Sequence, residues 1–155
     1  MKSNERKVLR ELLEDGRKKI TKIADNIGIS RQTVSKKIEE LKEKNIIKSF
    51  IANVNPRKVG LDSKAYMILD LVPSSERRHD FVLKVKDFEE VSQIHYTFGR
   101  FDMIIEILVE DDRELDNLVN RIHEFEAVEE TETLICRYTE KEDRNDPFRK
   151  VLSEG

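Results

Sequence analysis

The 155-residue chain has one cysteine, Cys136, so no disulfide can close within it. Nothing in it calls for an oxidising compartment, and the expected location is the cytoplasm. No apolar run approaches the ~20 residues that a membrane helix needs. The opening MKSNERKVLRELLEDG is charged and amphipathic and lacks the apolar centre of a secretion signal, so no membrane partner is expected. Phosphate-cradling glycine loops, nucleophile elbows and clustered metal ligands are also missing. His79, His95 and His123 are scattered, and Cys136 has no matched base nearby in the sequence. His95 or His123 beside Asp102 reads as surface histidine rather than a metal site. No catalytic residue, cofactor or metal is therefore expected.

Charge is plentiful and unevenly placed. Asp, Glu, Lys and Arg make up 39% of the chain, and the net charge is −3. Residues 1–60 hold 16 Lys and Arg against 8 Asp and Glu, a net +8, while the remainder carries −11. A basic head on an acidic body is the distribution of a protein that meets a polyanion with one end.

Within the basic part, Ile20–Lys44 reads ITKIADNIGISRQTVSKKIEELKEK. Ile23 and Ile27 lie one helical turn apart, Ala24 is small enough for two helices to cross closely, and Gly28 sits where the chain must turn sharply. Ser30 can cap a second helix, on which Val34, Ile38 and Leu41 form one apolar stripe. Helical geometry then directs Gln32, Ser35 and Lys36 outward, with Arg31 and Thr33 on the flanks. This is a helix-turn-helix with a polar and basic first half to its second helix, suited to meeting base edges in a duplex groove. The expected DNA contacts are Thr21, Ser30, Arg31, Gln32, Thr33, Ser35, Lys36 and Lys37, and the expected partner is double-stranded DNA. Val8, Leu9, Leu12 and Leu13 predict a preceding helix, capped by Ser3 or Asn4 and stopped by Gly16, that completes a three-helix head. Arg17, Lys18 and Lys19 could touch phosphate or lie in a solvated loop.

After Asn45 the segment Ile46–Val54 is β-branched and apolar and predicts a strand, which Asn55-Pro56 interrupts and which could support the small head by joining its counterpart in another subunit. The domain plan is a head over 1–45, a connecting strand and linker over 46–61, a body over 62–138 and a charged tail over 139–155. The body repeats itself at an offset of 37: Val72 with Val109, Phe81 with Leu118, Val85 with Ile122, Phe88 with Phe125 and Val91 with Val128. Each copy reads strand, helix, strand: Lys64–Val72, Ser75–Lys86 and Val91–Phe98, then Asp102–Val109, Arg113–Glu124 and Val128–Tyr138. Two such units predict a ferredoxin-like β-α-β-β-α-β sheet with both helices on one face, so the fold class is α+β. Successive apolar residues in Ala65–Leu69 and Met103–Ile105 make both sheet faces greasy, and a second subunit is the expected cover. A twofold dimer also supplies two heads for a palindromic site. The tail EKEDRNDPFRKVLSEG reads as partly disordered, or as docking on a neighbour through Phe148, Val151 and Leu152.

The head, the ISRQTVSKKIEELKEKNIIKSF transition and the repeated body together resemble the Lrp/AsnC family, the leucine-responsive or feast/famine transcription regulators. The likeness runs from Ser3 to about Tyr138, and its most specific marks are Val34–Ile47 and the turn FGRFD at Phe98–Asp102. It implies a sequence-specific, winged-helix-like DNA-binding regulator whose dimers assemble into tetramers or octamers and whose body binds a small effector, usually an amino acid. On that likeness the effector site would comprise Gly99, Arg100, Phe101 and Asp102 with Thr131 and Thr133. Gly99 lets backbone approach a ligand, Asp102 can bind an ammonium group, and the threonine hydroxyls can hydrogen-bond a carboxylate. Arg100 and Phe101 depart from the family's usual acidic and aromatic turn. Arg100 could pair with a ligand carboxylate or close the site against a neighbouring acid. The competing reading is an architectural protein that coats or bends DNA with little sequence preference and no effector; Gln32, Ser35 and Lys36 favour base reading.

Overall fold

The computed structural model describes residues 1–153, which divide into two compact units. One unit joins Met1–Asn53 to the chain from Lys141 onward; the other is Val54–Glu140.

The first unit holds helices α1 (Ser3–Glu14), α2 (Ile20–Ile27), α3 (Arg31–Glu43) and α6 (Asp146–Ser153). Gly28 takes the left-handed conformation between α2 and α3, with φ 71°, and Asn45 does the same after α3, with φ 54°. The core is Val8, Ile23, Ala24, Val34, Leu41 and Ile47, with Leu9, Leu12, Ile27 and Ile38 packed around it. The cap of α1 is neither Ser3 nor Asn4. Lys2 occupies the cap position, and its N–H donates to the Glu5 carboxylate at 2.7 Å. An ionised acceptor three residues on outcompetes a hydroxyl.

Two segments of this unit bear on the expectations. Within the single chain Ile46–Val54 makes no ladder, and Ile46, Phe50, Ile51 and Val54 are exposed. A strand needs a second strand to take its N–H and C=O groups, and none of this chain's four lies against it. Nor is the tail without structure. It forms α6, which packs on this chain's own α1 with Leu152 buried, while Phe148 and Val151 stay exposed. The short, charge-rich sequence hid about two turns of amphipathic helix, stable only against a partner surface.

The second unit is the repeated body. Strands β1 (Ser63–Leu71), β2 (Val91–Tyr96), β3 (Met103–Val109) and β4 (Val128–Ile135) form an antiparallel sheet in the order β2-β3-β1-β4, with α4 (Ser75–Val85) and α5 (Asp112–His123) crossing one face. The caps obey the same offset of 37 as the core residues: Ser74 accepts from the Arg77 N–H and Asp111 from the Glu114 N–H. In β1 burial alternates strictly, so Ala65, Met67, Leu69 and Leu71 meet Phe81 and Val85 of α4 and Leu115, Leu118 and Ile122 of α5. The other face carries Tyr66, Ile68, Ile104 and Leu108, half-exposed because the chain's own helices lie on the opposite side.

Candidate functional site

In the head, α3 packs by its apolar side. Val34 and Leu41 are fully buried, and Arg31, Gln32 and Lys36 are exposed on the far side, with Thr33 and Ser35 half-exposed. Ser30 Oγ accepts the Thr33 N–H at 3.1 Å and shares a 2.8 Å hydrogen bond with the Thr33 hydroxyl. Both residues therefore fix the start of α3 and satisfy one of the N–H groups that its first turn leaves without an intrahelical partner. Thr21 is half-buried on α2. Lys37 departs from expectation: its ammonium pairs with Glu40 at 2.6 Å, and its side chain is only 15% exposed. Position 37 is one turn beyond Thr33, where the stem lies along the helix rather than over the outer face. Lys18 is likewise taken, pairing with Glu11 at 3.1 Å and Glu14 at 2.8 Å, whereas Arg17, Lys19 and Lys22 are exposed.

A tie that sequence reading missed fixes α3 from behind. Glu5 is fully buried and accepts from Lys44 Nζ at 2.6 Å as well as from the Lys2 N–H. The hydrogen bond from Lys44, then that from Lys2, hold its carboxyl down at about 2 despite burial. The only sequence signal was a glutamate three residues after a helix start; its partner lies 39 positions away.

The turn between β2 and β3 is tightly built. Thr97 N–H donates to the Asp102 carbonyl at 2.9 Å, Thr97 Oγ1 to the Phe101 carbonyl at 2.5 Å, and Gly99 sits at φ 141°. The Arg100 guanidinium lies 5.0 Å from the Phe101 ring centroid, and Phe98 is fully exposed. Asp102 is already engaged. Its carboxylate accepts the Leu71 N–H at 2.9 Å and a fork from Arg78 at 2.9 and 3.1 Å. The Leu71 N–H and the Arg78 guanidinium outweigh burial and hold the Asp102 carboxyl below its ordinary range. Arg78, which sequence reading missed, also donates to the carbonyls of Leu71 and Val72, both at 2.6 Å. Thr131 shares a 2.6 Å hydrogen bond with His123, and Thr133 is half-exposed. Thr131 pairs with Leu69, which pairs with Met103, so β1 stands between the two threonines and the turn. The four turn residues are brought together; Thr131 and Thr133 form a second group across β1.

On the sheet face away from the helices, Glu106 is buried among four donors: Ser92 Oγ at 2.6 Å, Tyr66 OH at 2.9 Å, Lys64 Nζ at 3.0 Å and Gln93 Nε2 at 3.2 Å. Burial pushes its carboxyl up, and the bonds from Ser92, Lys64 and Tyr66 more than offset that, leaving it below its ordinary range.

Comparison with known proteins assigns the two parts of the chain to two families. A winged helix-turn-helix DNA-binding family matches residues 1–48, and the Lrp/AsnC ligand binding domain matches residues 64–146. The chain belongs to the Lrp/AsnC family. Among its relatives is the HTH-type transcriptional regulator FL11 of Pyrococcus furiosus, 26% identical over 94% of this chain and 95% of that one. The regulatory protein AsnC of Haemophilus influenzae is 28% identical over 86% of this chain and 89% of its own. A transcriptional regulator from Neisseria meningitidis solved with L-Met shares the fold at a TM-score of 0.90 with 18% identity, covering 97% of this chain and 99% of that one. As an Lrp/AsnC protein, the chain is a DNA-binding regulator of transcription with a ligand-binding body. Among the described residues no helix is long and apolar enough to cross a membrane.

Proposed function

We propose that this Lrp/AsnC regulator reads a specific duplex sequence as a homodimer, α3 entering the major groove, and that an amino acid bound at the body shifts its assembly or its DNA affinity. The observation that carries the DNA reading is the division of α3: an apolar back fully buried and a front on which Arg31, Gln32, Ser35 and Lys36 face outward near its N-terminal end. Arg31 and Lys36 supply phosphate or guanine contacts, and Gln32 can read adenine through a bidentate pair. Lys37 is left out of the contact set because Glu40 holds it. Two heads on half-sites ~10 bp or a multiple apart match the symmetry of a dimer. The half-exposed Tyr66, Ile68, Ile104 and Leu108, and the exposed Phe50, Ile51 and Val54, are the surfaces a second copy would cover, with further assembly to tetramers or octamers.

The effector reading rests on the turn Gly99–Asp102. A zwitterion there meets Arg78 and Asp102 already paired, so its carboxylate and ammonium must divide that pair between them. Arg100, beside the turn, offers a second cation for the carboxylate. Thr131 and Thr133 contribute through the far side of β1.

Selection of bound sequences from a random DNA pool at fixed salt, with the solution mass measured alongside, tests the first part. Gln32→Ala should lose about 1–3 kcal/mol of discrimination at one base position. Arg31→Ala should weaken all sequences alike and lower the salt slope by about 1, while Lys36→Ala should also relax discrimination at one base position. If all three variants only scale overall affinity, the protein is architectural rather than specific. For the effector, calorimetry with the standard amino acids against wild type and Asp102→Ala should give heat with at least one in wild type only; no heat with any removes the effector.

A further inference from the structure

The head unit is discontinuous in sequence: Val54–Glu140 is inserted between its two parts. Helix α6 returns to α1 across separations of 132 and 136 positions, where Asn145 Nδ2 and an Arg149 guanidinium nitrogen both donate to the Leu13 carbonyl, at 3.4 and 3.2 Å. That carbonyl lies at the C-terminal end of α1, where the last C=O groups lack intrahelical partners. Helix α1 has no basic residue in its own last turn, so Arg149 provides the cation that a helix C-terminus favours. Arg149 is itself held in place by Asp143 at 2.6 Å and Asp146 at 2.8 Å, and Leu152 is buried, 6% exposed. In the body unit the two ends of the inserted chain adjoin. Arg57 donates to the Arg137 carbonyl at 3.3 Å, and the Cys136 N–H to the Lys64 carbonyl at 2.7 Å.

We propose that α6 is an integral part of the DNA-reading head, and that the head is therefore joined to the body by two covalent strands rather than one. A single flexible linker leaves a head free to swivel; a second strand, leaving the body beside the first, narrows the orientations available. Narrowing raises the effective concentration of the second head once the first is bound. This part rests on the reading of paired heads on paired half-sites.

Three chains test it: one ending at Glu140, one carrying Leu152→Asp, and one with Gly-Ser-Gly-Ser inserted after Thr139. In the first two, amide exchange along α1 should quicken about tenfold or more while β1 and β3 keep wild-type protection. In the third, α1 should keep its protection and affinity for a single half-site should be unchanged, while affinity for paired half-sites falls about tenfold. Unchanged α1 exchange in Leu152→Asp, or a rise that extends through the body, overturns the assignment of α6 to the head. Unchanged paired-site affinity in the insertion chain overturns the double connection. A wild-type protein that binds paired and single half-sites alike overturns the dimeric reading instead, and exchange along α1 still decides where α6 belongs.

Discussion

Each unit of this regulator buries a glutamate, and the two acids are held in different ways. Glu5, in the head, relies on one charged partner, Lys44, and one backbone N–H. Glu106, in the body, is shared among Lys64, Tyr66, Ser92 and Gln93. The cores differ in the same sense. Six buried residues make the head's, while fourteen make the body's, running unbroken across the sheet. The head is thus a small unit secured by a few ties between distant residues; the body is a larger one in which no single tie dominates. Regions that must adapt to a partner are commonly drawn from the less stable part of a fold, and here the part that meets DNA is that part.

The comparison breaks most directly at the two cores. Phe81→Ala should cost about 3–5 kcal/mol and Ile23→Ala about 2–5 kcal/mol, but with different reach. Ile23→Ala should abolish DNA binding while the sheet's circular-dichroism signal survives. Phe81→Ala should lower the body's denaturation midpoint and leave the α1–α3 signal to melt where it did. If Ile23→Ala also dissolves the sheet, the units are not separately stable. Acid sharpens the contrast next. The Glu5 carboxyl is held at about 2, below its ordinary 4.5, so its contribution is full above that ordinary value and is lost as pH falls toward 2. The head's melting temperature should therefore drop across this window in wild type, and the drop should shrink in Glu5→Gln. Unequal loss is expected because Glu106, also depressed, keeps neutral donors when Lys64 no longer finds an anion. The smallest effect belongs to Lys37→Ala. Its i,i+3 pair with Glu40 is worth about 0.2–0.5 kcal/mol, and the salt slope of DNA binding should not change. A slope lowered by about 1 would return Lys37 to the phosphate contacts.

Much of this was readable in the residues themselves, where the signal is local or periodic. Gly28 and Ser30 marked the turn and the cap because left-handed backbone and a short hydroxyl are local requirements. The offset of 37 placed the body's strands and helices because each copy solves the same packing problem. What stayed hidden depends on residues far apart. The pairing of Glu5 with Lys44 spans 39 positions, and Arg149 reaches Leu13 across 136. At the effector turn, Gly99–Asp102 was visible as a motif, yet nothing in it announced that Arg78, 24 positions earlier, holds Asp102. Ile46–Val54 is a different case: its composition suits a strand, but pairing is a property of two segments and only one is in this chain.

Strand β4 forms one border of the sheet, and it presents Glu129, Glu130 and Glu132, all exposed. A second β4 approaching side by side would bring like charges into register, so endless fibre-like growth along that border is discouraged. In a crowded cell the same row of acids would help keep a protein built from an oily sheet from polymerising.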